Sequence, residues 1–98
     1  MAGEPEYAGF MLHTDDDVAL ALVPLEAGAL VRIVTPDGPR ELEVKEDIPL
    51  YHKFATRDLA EGTAVIKGGE AIGVTSAPVG CGMHLHIQNL KSMRYGVS

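Results

Sequence analysis

A β-hairpin is predicted by residues 29–45, which read ALVRIVTPDGPRELEVK. The first arm, 29–35, is rich in the aliphatic and β-branched residues that strands favour. Residues 36–39 form a turn, because proline presets the backbone angle of a tight turn and glycine allows a positive one. The second arm, 40–45, alternates polar and apolar residues, and this period of two is typical of a strand with one buried face.

Short strands joined by tight turns are predicted along the rest of the chain. Eleven glycines and six prolines are spread through the 98 residues, and both residue types are typical of turns. No stripe of apolar residues at three-and-four spacing persists for more than about two helical turns. The sequence therefore predicts a small, mostly β, single-domain protein with at most one or two helical turns. Besides the hairpin, strands are predicted at 11–12, 18–23, 54–59, 63–66 and 71–74.

The last strand is predicted at residues 83–90, which read MHLHIQNL. Successive side chains of a strand point to opposite faces of the sheet. This alternation places His84, His86 and Gln88 on one face and apolar side chains on the other. The sequence therefore predicts a polar face that carries two imidazoles.

One domain is the expected organisation for a chain of 98 residues. Residues 1–9 are small, polar or acidic, and we expect them to form a flexible lead-in to a domain at 10–98. Cys81 is the only cysteine, which excludes an intramolecular disulfide. We predict a structural role for Cys81.

Nucleic acids and membranes are unfavourable partners for this chain. Its formal net charge is −6, from 14 acidic and 8 basic residues, whereas nucleic acids and anionic membranes bind clusters of lysine and arginine. The longest apolar run, 18–25, is interrupted by Pro24 and is too short to cross a bilayer. The N-terminus lacks the basic region and apolar stretch of a secretory signal. A cytoplasmic location is therefore predicted.

Three motifs follow one another along the chain: HTDDDVALAL at 13–22, EDIPLYHKFA at 46–55, and VIKGGEAIG at 65–73 followed by HLHIQNL at 84–90. Together they resemble the N-terminal SAF domain of the altronate/galactarate dehydratase family and the separate small subunits of related lyases. The family patterns are a His before Asn-Val-Ala-Val-Ala-Leu, then Glu-Asp-Ile-Pro-x-Gly-His-Lys, then Ile-Lys-x-Gly-x-x-Ile-Gly and His-Val-His-x-His-Asn. The resemblance covers residues 10–90, and the shared order of the motifs makes it specific.

Three positions depart from the family pattern. Asp17 stands where asparagine is usual, Tyr51 where glycine is usual, and Gln88 where a third histidine is usual. The change at Tyr51 matters most, because glycine holds backbone angles that tyrosine adopts only with strain. These differences leave the substrate open.

The resemblance implies an SAF-type β-clip fold and a function as the small accessory subunit of a metal-dependent sugar-acid dehydratase, a carbon–oxygen lyase. A complete dehydratase of this family needs a much larger catalytic region. A large catalytic lyase subunit is therefore the implied partner, and a sugar acid is the implied substrate. The family is associated with a divalent metal, iron(II) in particular, which is the implied cofactor. Arg94 and Tyr95, beyond the last predicted strand, are predicted to contact a partner, and self-association is left open.

Two other functions remain open at this point. The chain also resembles the small subunits of sulfolactate sulfo-lyases, which would share the fold and the histidine positions and differ in the leaving group. A function of another class is a stand-alone module that binds carbohydrates or sugar acids, or that acts in assembly. A gene for a large lyase subunit beside this one would favour the two enzymatic functions.

His52, Lys53, His84 and His86 are the catalytic candidates. Dehydration needs a base beside the substrate carboxylate and stabilisation of the negative charge that develops. Imidazoles titrate near neutral pH and bind first-row metals, so His84 and His86 are also candidate metal ligands. Spacing alone favours exposed surface histidines, and two histidines without a third ligand do not make a metal site. We predict that all four side chains share one face, which closes over the active site of the partner.

His13, Asp16, Asp17 and Asn89 are the candidate substrate-binding residues. The acidic segment and its histidine could supply oxygen ligands and an imidazole to a polar substrate. The alternative is a solvated acidic turn, because aspartate carboxylates accept hydrogen bonds from nearby backbone N–H groups. We assign Asp15 to the turn alone.

Overall fold

The computed structural model describes residues 7–86 and 88–92. These residues form nine short β-strands and no helix, which confirms the predicted mostly β, single-domain fold. Within the same ranges, no helix has the length and apolar character that crossing a membrane takes. The strands are β1 (Gly9–Phe10), β2 (Val18–Ala21), β3 (Leu30–Thr35), β4 (Gly38–Glu43), β5 (Lys53–Ala55), β6 (Ala64–Lys67), β7 (Glu70–Thr75), β8 (His84–Leu85) and β9 (Leu90–Ser92).

The strands are arranged in two sheets. The larger sheet has six strands in the order β4-β3-β1-β2-β5-β8, and the smaller has three in the order β6-β7-β9. The β3–β4 hairpin is confirmed: its arms pair from Leu30↔Glu43 to Thr35↔Gly38. Gly38 has a φ of 115°, the positive angle that the predicted turn requires. The short strand β1 pairs in parallel with β3 and antiparallel with β2, so it ties the hairpin to the rest of the sheet.

Apolar side chains form two clusters, one centred on Phe54 and Ile33 and the other on Val65 and Leu85. Phe54 and Ala55 are adjacent in β5 and are both fully buried, yet they belong to different clusters. Because adjacent residues of a strand point to opposite faces, the larger sheet is covered on both sides at β5. Side chains on the two faces of this sheet therefore have different neighbours, and only side chains on the same face can meet at a site.

The prediction of one strand at 83–90 is wrong. β8 ends at Leu85 in the larger sheet, the chain turns, and β9 begins at Leu90 in the smaller sheet. The turn is stabilised by Asn89, whose side-chain Oδ1 accepts the backbone N–H of His86 at 3.0 Å. A polar residue that satisfies backbone groups locally competes with strand pairing, and this competition overrides the alternating pattern.

The described residues include part of the predicted lead-in. The backbone N–H of Ala8 donates to the carbonyl of Arg32 at 2.7 Å, and Gly9 belongs to β1. The rest of the lead-in, residues 1–6, lies outside the described residues, as do Ile87, Arg94 and Tyr95.

Candidate functional site

Three histidines meet at the edge of the larger sheet. His84 lies in the edge strand β8, opposite Phe54 of β5, while His52 precedes β5 and His86 follows β8. The Nδ1 atom of His52 lies 2.9 Å from the Nε2 atom of His84. The three rings stack, with centroids 4.6 to 5.5 Å apart. One ring nitrogen from each histidine lies within 4.8 Å of the other two, and all three side chains are half-buried.

A tight turn positions His52. Its backbone N–H donates to the carbonyl of Pro49 at 3.0 Å, and its own carbonyl accepts the N–H of Ala21 at 2.9 Å. Tyr51, which lies between Pro49 and His52 in this turn, has a φ of 68°. This is the left-handed region, which side chains other than glycine enter at a cost. The strain predicted for a tyrosine at this glycine position is therefore present.

Asn89 fixes the turn that carries His84 and His86. Besides accepting the N–H of His86, its side-chain Nδ2 donates to the carbonyl of His84 at 2.9 Å. The residue is only 8% exposed. Both polar groups of the predicted substrate-binding side chain are therefore used within the chain, where they hold two of the three histidines in place.

The surroundings favour a neutral imidazole at His84. Burial lowers the pKa of His84, and the neighbouring His52 and His86 lower it further. A neutral imidazole keeps the lone pair that a metal ion needs. Gln88 stands where the family usually has a histidine, and its Nε2 atom lies 3.3 Å from the Nδ1 atom of His84. The amide therefore contacts the ring nitrogen that points away from His52.

Lys53 lies on the other face of the sheet, contrary to the predicted shared face. The registers Leu20↔Lys53 and Lys53↔Leu85 place its side chain with those two leucines. His84 instead pairs with Phe54, whose side chain points the opposite way. Alternation within β5 thus places Lys53 on the other face from His84, although its positive charge still contributes to lowering the pKa of His84.

Asp17 joins the two sheets. Its carboxylate is 1% exposed and bonds the guanidinium of Arg57, with Nε at 2.6 Å and Nη2 at 2.5 Å from Oδ1. The other oxygen, Oδ2, accepts the backbone N–H of Ile66 in β6 at 2.8 Å. This predicted substrate-binding carboxylate is fully engaged between β2 and the smaller sheet.

Asp16 organises the acidic turn that was also predicted as a substrate site. Its oxygens accept the N–H of His13 and the N–H of Gly69, each at 3.0 Å. Burial alone would raise the pKa of Asp16, but the backbone N–H groups of Gly68, Gly69 and His13 hold it below the usual value. His13 itself is exposed at this turn. The segment therefore has the local hydrogen bonding of an acidic turn.

Cys81 is half-buried, and burial raises the pKa of its thiol. A raised pKa disfavours the reactive thiolate, which fits the predicted structural role.

The metal site predicted from the sequence contained His84 and His86, and His52 was assigned to catalysis alone. Sequence reasoning therefore missed His52 as a third candidate metal ligand. The pairing of β5 with β8 brings the third imidazole to them. No local pattern reveals that pairing, because the two segments lie 32 residues apart.

Comparisons with known proteins agree with this architecture. The family model described as the altronate/galactarate dehydratase SAF domain matches residues 7–93. The chain is 38% identical to (2R)-sulfolactate sulfo-lyase subunit alpha of Chromohalobacter salexigens over 88% of this chain and 96% of that protein. It is 39% identical to the same subunit of Paracoccus pantotrophus over 64% of this chain and 96% of that protein. It is 35% identical to altronate dehydratase of Escherichia coli over 83% of this chain, but over only 16% of that longer protein. The chain therefore belongs to the family of altronate/galactarate dehydratase SAF domains.

Proposed function

We propose that this chain is the small SAF subunit of a two-subunit, metal-dependent lyase that acts on a hydroxy acid. The observation that carries the proposal is the cluster of three imidazoles formed by His52, His84 and His86. The relatives support the subunit organisation, because the chain spans 96% of two proteins that are themselves named as alpha subunits. A large subunit would then supply the remainder of the active site.

The three histidines fit a divalent metal ion. Metal–imidazole bonds of 2.0–2.1 Å place two neighbouring ligand nitrogens about 2.9 Å apart when they subtend a right angle. The His52 and His84 nitrogens, 2.9 Å apart, form a hydrogen bond in the structure, and a bound ion would take the place of the proton between them. Imidazole ligands suit iron, zinc, copper and nickel, and we propose iron(II). When bound, the ion would polarise the oxygens of the substrate and stabilise developing negative charge.

The chain supplies a ligand set and leaves the proton transfer to its partner. Among the described residues, the side chains that lie close enough together to hold a metal ion are those of the three histidines. Three protein ligands leave coordination positions open for a substrate. Because Lys53 is on the other face, we propose that the large subunit contributes the base that removes the proton beside the carboxylate.

An exposed apolar surface beside His52 is the proposed contact with the large subunit. Leu22, Val23, Leu50 and Tyr51 are 39% to 65% exposed. The hydrogen bond from the Tyr51 N–H to the Ala21 carbonyl and the bridge between Leu25 and Ile48 bring the two segments side by side. Contiguous exposed apolar side chains are characteristic of interaction sites. A subunit covering them would also cover the histidines.

Two substrate classes fit this proposal. The near-complete overlap with two sulfo-lyase alpha subunits favours a sulfolactate-like substrate, from which a sulfonate group would leave. The family model and the altronate dehydratase relative favour a sugar acid, from which water would leave. Both reactions need a proton removed beside a carboxylate, so the same histidine cluster could serve either one.

Reconstitution with the large lyase subunit tests the proposal. The pair, supplied with iron(II) under reducing conditions, is assayed for sulfite release from sulfolactate and for 2-keto acid formation from altronate and galactarate. We expect turnover of one substrate class by the pair and no turnover by the small chain alone. His84→Asn should reduce the activity of the pair by about tenfold or more.

Glu41→Gln is the control, because Glu41 is exposed in β4, at the opposite edge of the larger sheet from β8. It should retain the wild-type activity of the pair. Turnover by the small chain alone, or full activity in the His84→Asn pair, would contradict the proposal. Failure to associate with any lyase subunit would favour a free binding module instead.

A further inference from the structure

A groove lies on the face of the larger sheet opposite the histidines. Its apolar walls are formed by Phe10, Leu12, Val18 and Leu20, and its cavity volume is about 80 Å³. Phe10 is 39% exposed and Leu12 is 53% exposed, so their side chains remain in contact with solvent. A space of this size is below the range of drug-sized sites, so it suits only a small ligand that stays partly exposed.

Two lysines add positive charge to this apolar groove. Lys67 lines it directly, and Lys53 lies beside it because its strand position pairs with Leu20. Burial lowers the pKa of Lys53, and the positive charge of Lys67 lowers it further. A negative group placed near both would relieve this repulsion.

No carboxylate of the described residues lies within ion-pair distance of either lysine. Asp16 also lines the groove, and its oxygens already accept backbone N–H groups from His13 and Gly69. The chain as a whole has a net charge of −6. The two lysines therefore form a local site for an anion on an otherwise acidic protein.

We propose that this groove binds the carboxylate of a small organic acid between Lys53 and Lys67, with the carbon chain of the acid against Phe10 and Leu12. The site is separate from the histidine cluster. It does not depend on the proposed lyase function, because its residues lie on the opposite face of the sheet. In this proposal Lys53 contacts the bound carboxylate, which its position on this face of the sheet permits.

Nuclear magnetic resonance titration of the uniformly ¹⁵N-labelled chain tests the site. The ligand is hexanoate, and hexanamide, which has the same carbon chain without the charge, is the control ligand. We expect hexanoate to shift the amide resonances of Leu12, Lys53 and Lys67, with a millimolar dissociation constant that increases with added salt. The dissociation constant of hexanamide should exceed that of hexanoate by at least the product of the factors expected for the two lysine variants.

Lys53→Gln and Lys67→Gln should each weaken hexanoate binding by roughly two- to fivefold, the scale of a partly exposed charge contact. Lys45→Gln is the matched control, because Lys45 is an exposed lysine that does not line the groove. It should bind hexanoate as the wild-type chain does.

Three results would overturn the proposal: no shifts with hexanoate, equal binding of hexanoate and hexanamide, or unchanged binding in the Lys53→Gln, Lys67→Gln double variant. A fourth contradicting result would be that hexanoate does not bind, whereas the large subunit protects the backbone amides of the groove. That result would identify the groove as a subunit interface.

Discussion

Tyr51 shows how one residue can serve a site at the expense of the fold. Its φ of 68° is a conformation that glycine adopts freely, and its side chain is 65% exposed. Little burial of the ring therefore compensates for the backbone strain within this chain. The same turn holds His52 against His84. We infer that the tyrosine is kept for a contact outside the chain.

Replacing Tyr51 with glycine should stabilise the isolated chain. We expect Tyr51→Gly to increase the free energy of unfolding by about 1 kcal/mol. The left-handed conformation costs a tyrosine roughly 1–2 kcal/mol, and the backbone entropy that glycine adds to the unfolded state offsets part of this gain. Urea denaturation followed by circular dichroism measures the change. The neighbouring Leu50→Gly is the control and should be destabilising. A less stable Tyr51→Gly chain would show that the ring contributes more than the strain removes.

Asn89 positions two of the three histidines through its side-chain hydrogen bonds. Asn89→Ala leaves the N–H of His86 and the carbonyl of His84 without their partner. An unsatisfied buried polar group costs about 1–3 kcal/mol, and loss of an outer-shell partner typically weakens metal binding 10- to 100-fold. We expect both effects, measured by urea denaturation and by calorimetric titration with zinc(II) as a redox-inert probe. Gln88→Ala, at an exposed position, should have a much smaller effect on stability.

An Asn89→Ala chain that loses stability but binds zinc(II) as tightly as the wild-type chain would contradict the positioning role. The same variant separates positioning from substrate contact, because zinc(II) affinity is measured without substrate.

At the scale of elements, the smaller sheet is fastened to the larger one by a charged contact. Asp17, at the start of β2, bonds Arg57 beyond β5 and the N–H of Ile66 in β6. Its carbonyl also accepts the N–H of Thr56 at 2.9 Å. These bonds orient the β6–β7 hairpin over the second apolar cluster. The acidic turn predicted as a binding site therefore acts, in part, as a joint between sheets.

Substitution of Asp17 separates its charge from its hydrogen bonding. Asp17→Asn keeps an oxygen for the N–H of Ile66 but loses the charge opposite Arg57, and we expect a loss of about 1 kcal/mol. Asp17→Ala also leaves the N–H of Ile66 without its acceptor, so it should cost about 2–3 kcal/mol, while the exposed Arg57 guanidinium remains solvated. Thermal and urea unfolding measure both. Equal losses in the two variants would show that the charge dominates the contact.

At the scale of the whole molecule, stability should depend on pH through His84. Folding lowers the pKa of His84 below its unfolded value of about 6.5. Between the folded and unfolded values the unfolded chain binds more protons, so the free energy of unfolding rises with pH. This contribution is complete above about pH 6.5 and declines as pH falls toward the folded pKa.

Urea midpoints of the metal-free chain between pH 7.5 and 5.5, with a chelator present, measure this dependence. His84→Gln should flatten the decline. A decline of the same slope in His84→Gln would show that other groups are responsible.

Local patterns predicted the parts of the molecule that local physics determines. The alternation at 40–45 and the glycine at 38 gave the β3–β4 hairpin, and the motif order gave the family. The long-range pairings were not predictable from one sequence, because β5 meets β2 and β8 through contacts between distant segments. This is why Lys53 was grouped with the histidines. The break after Leu85 was missed because a buried asparagine outweighed the alternating pattern.

The order of strands in the larger sheet has a consequence for the newly made chain. β5 lies between β2 and β8, so its second edge stays unpaired until β8 has been synthesised. His84 follows His52 by 32 residues, which corresponds to roughly 2–6 seconds at ordinary rates of translation. During that interval Phe54 lies in a strand with an open edge, which other chains can pair with. The imidazoles come together only when β8 pairs with β5, so the same event covers the second edge of β5 and completes the histidine cluster.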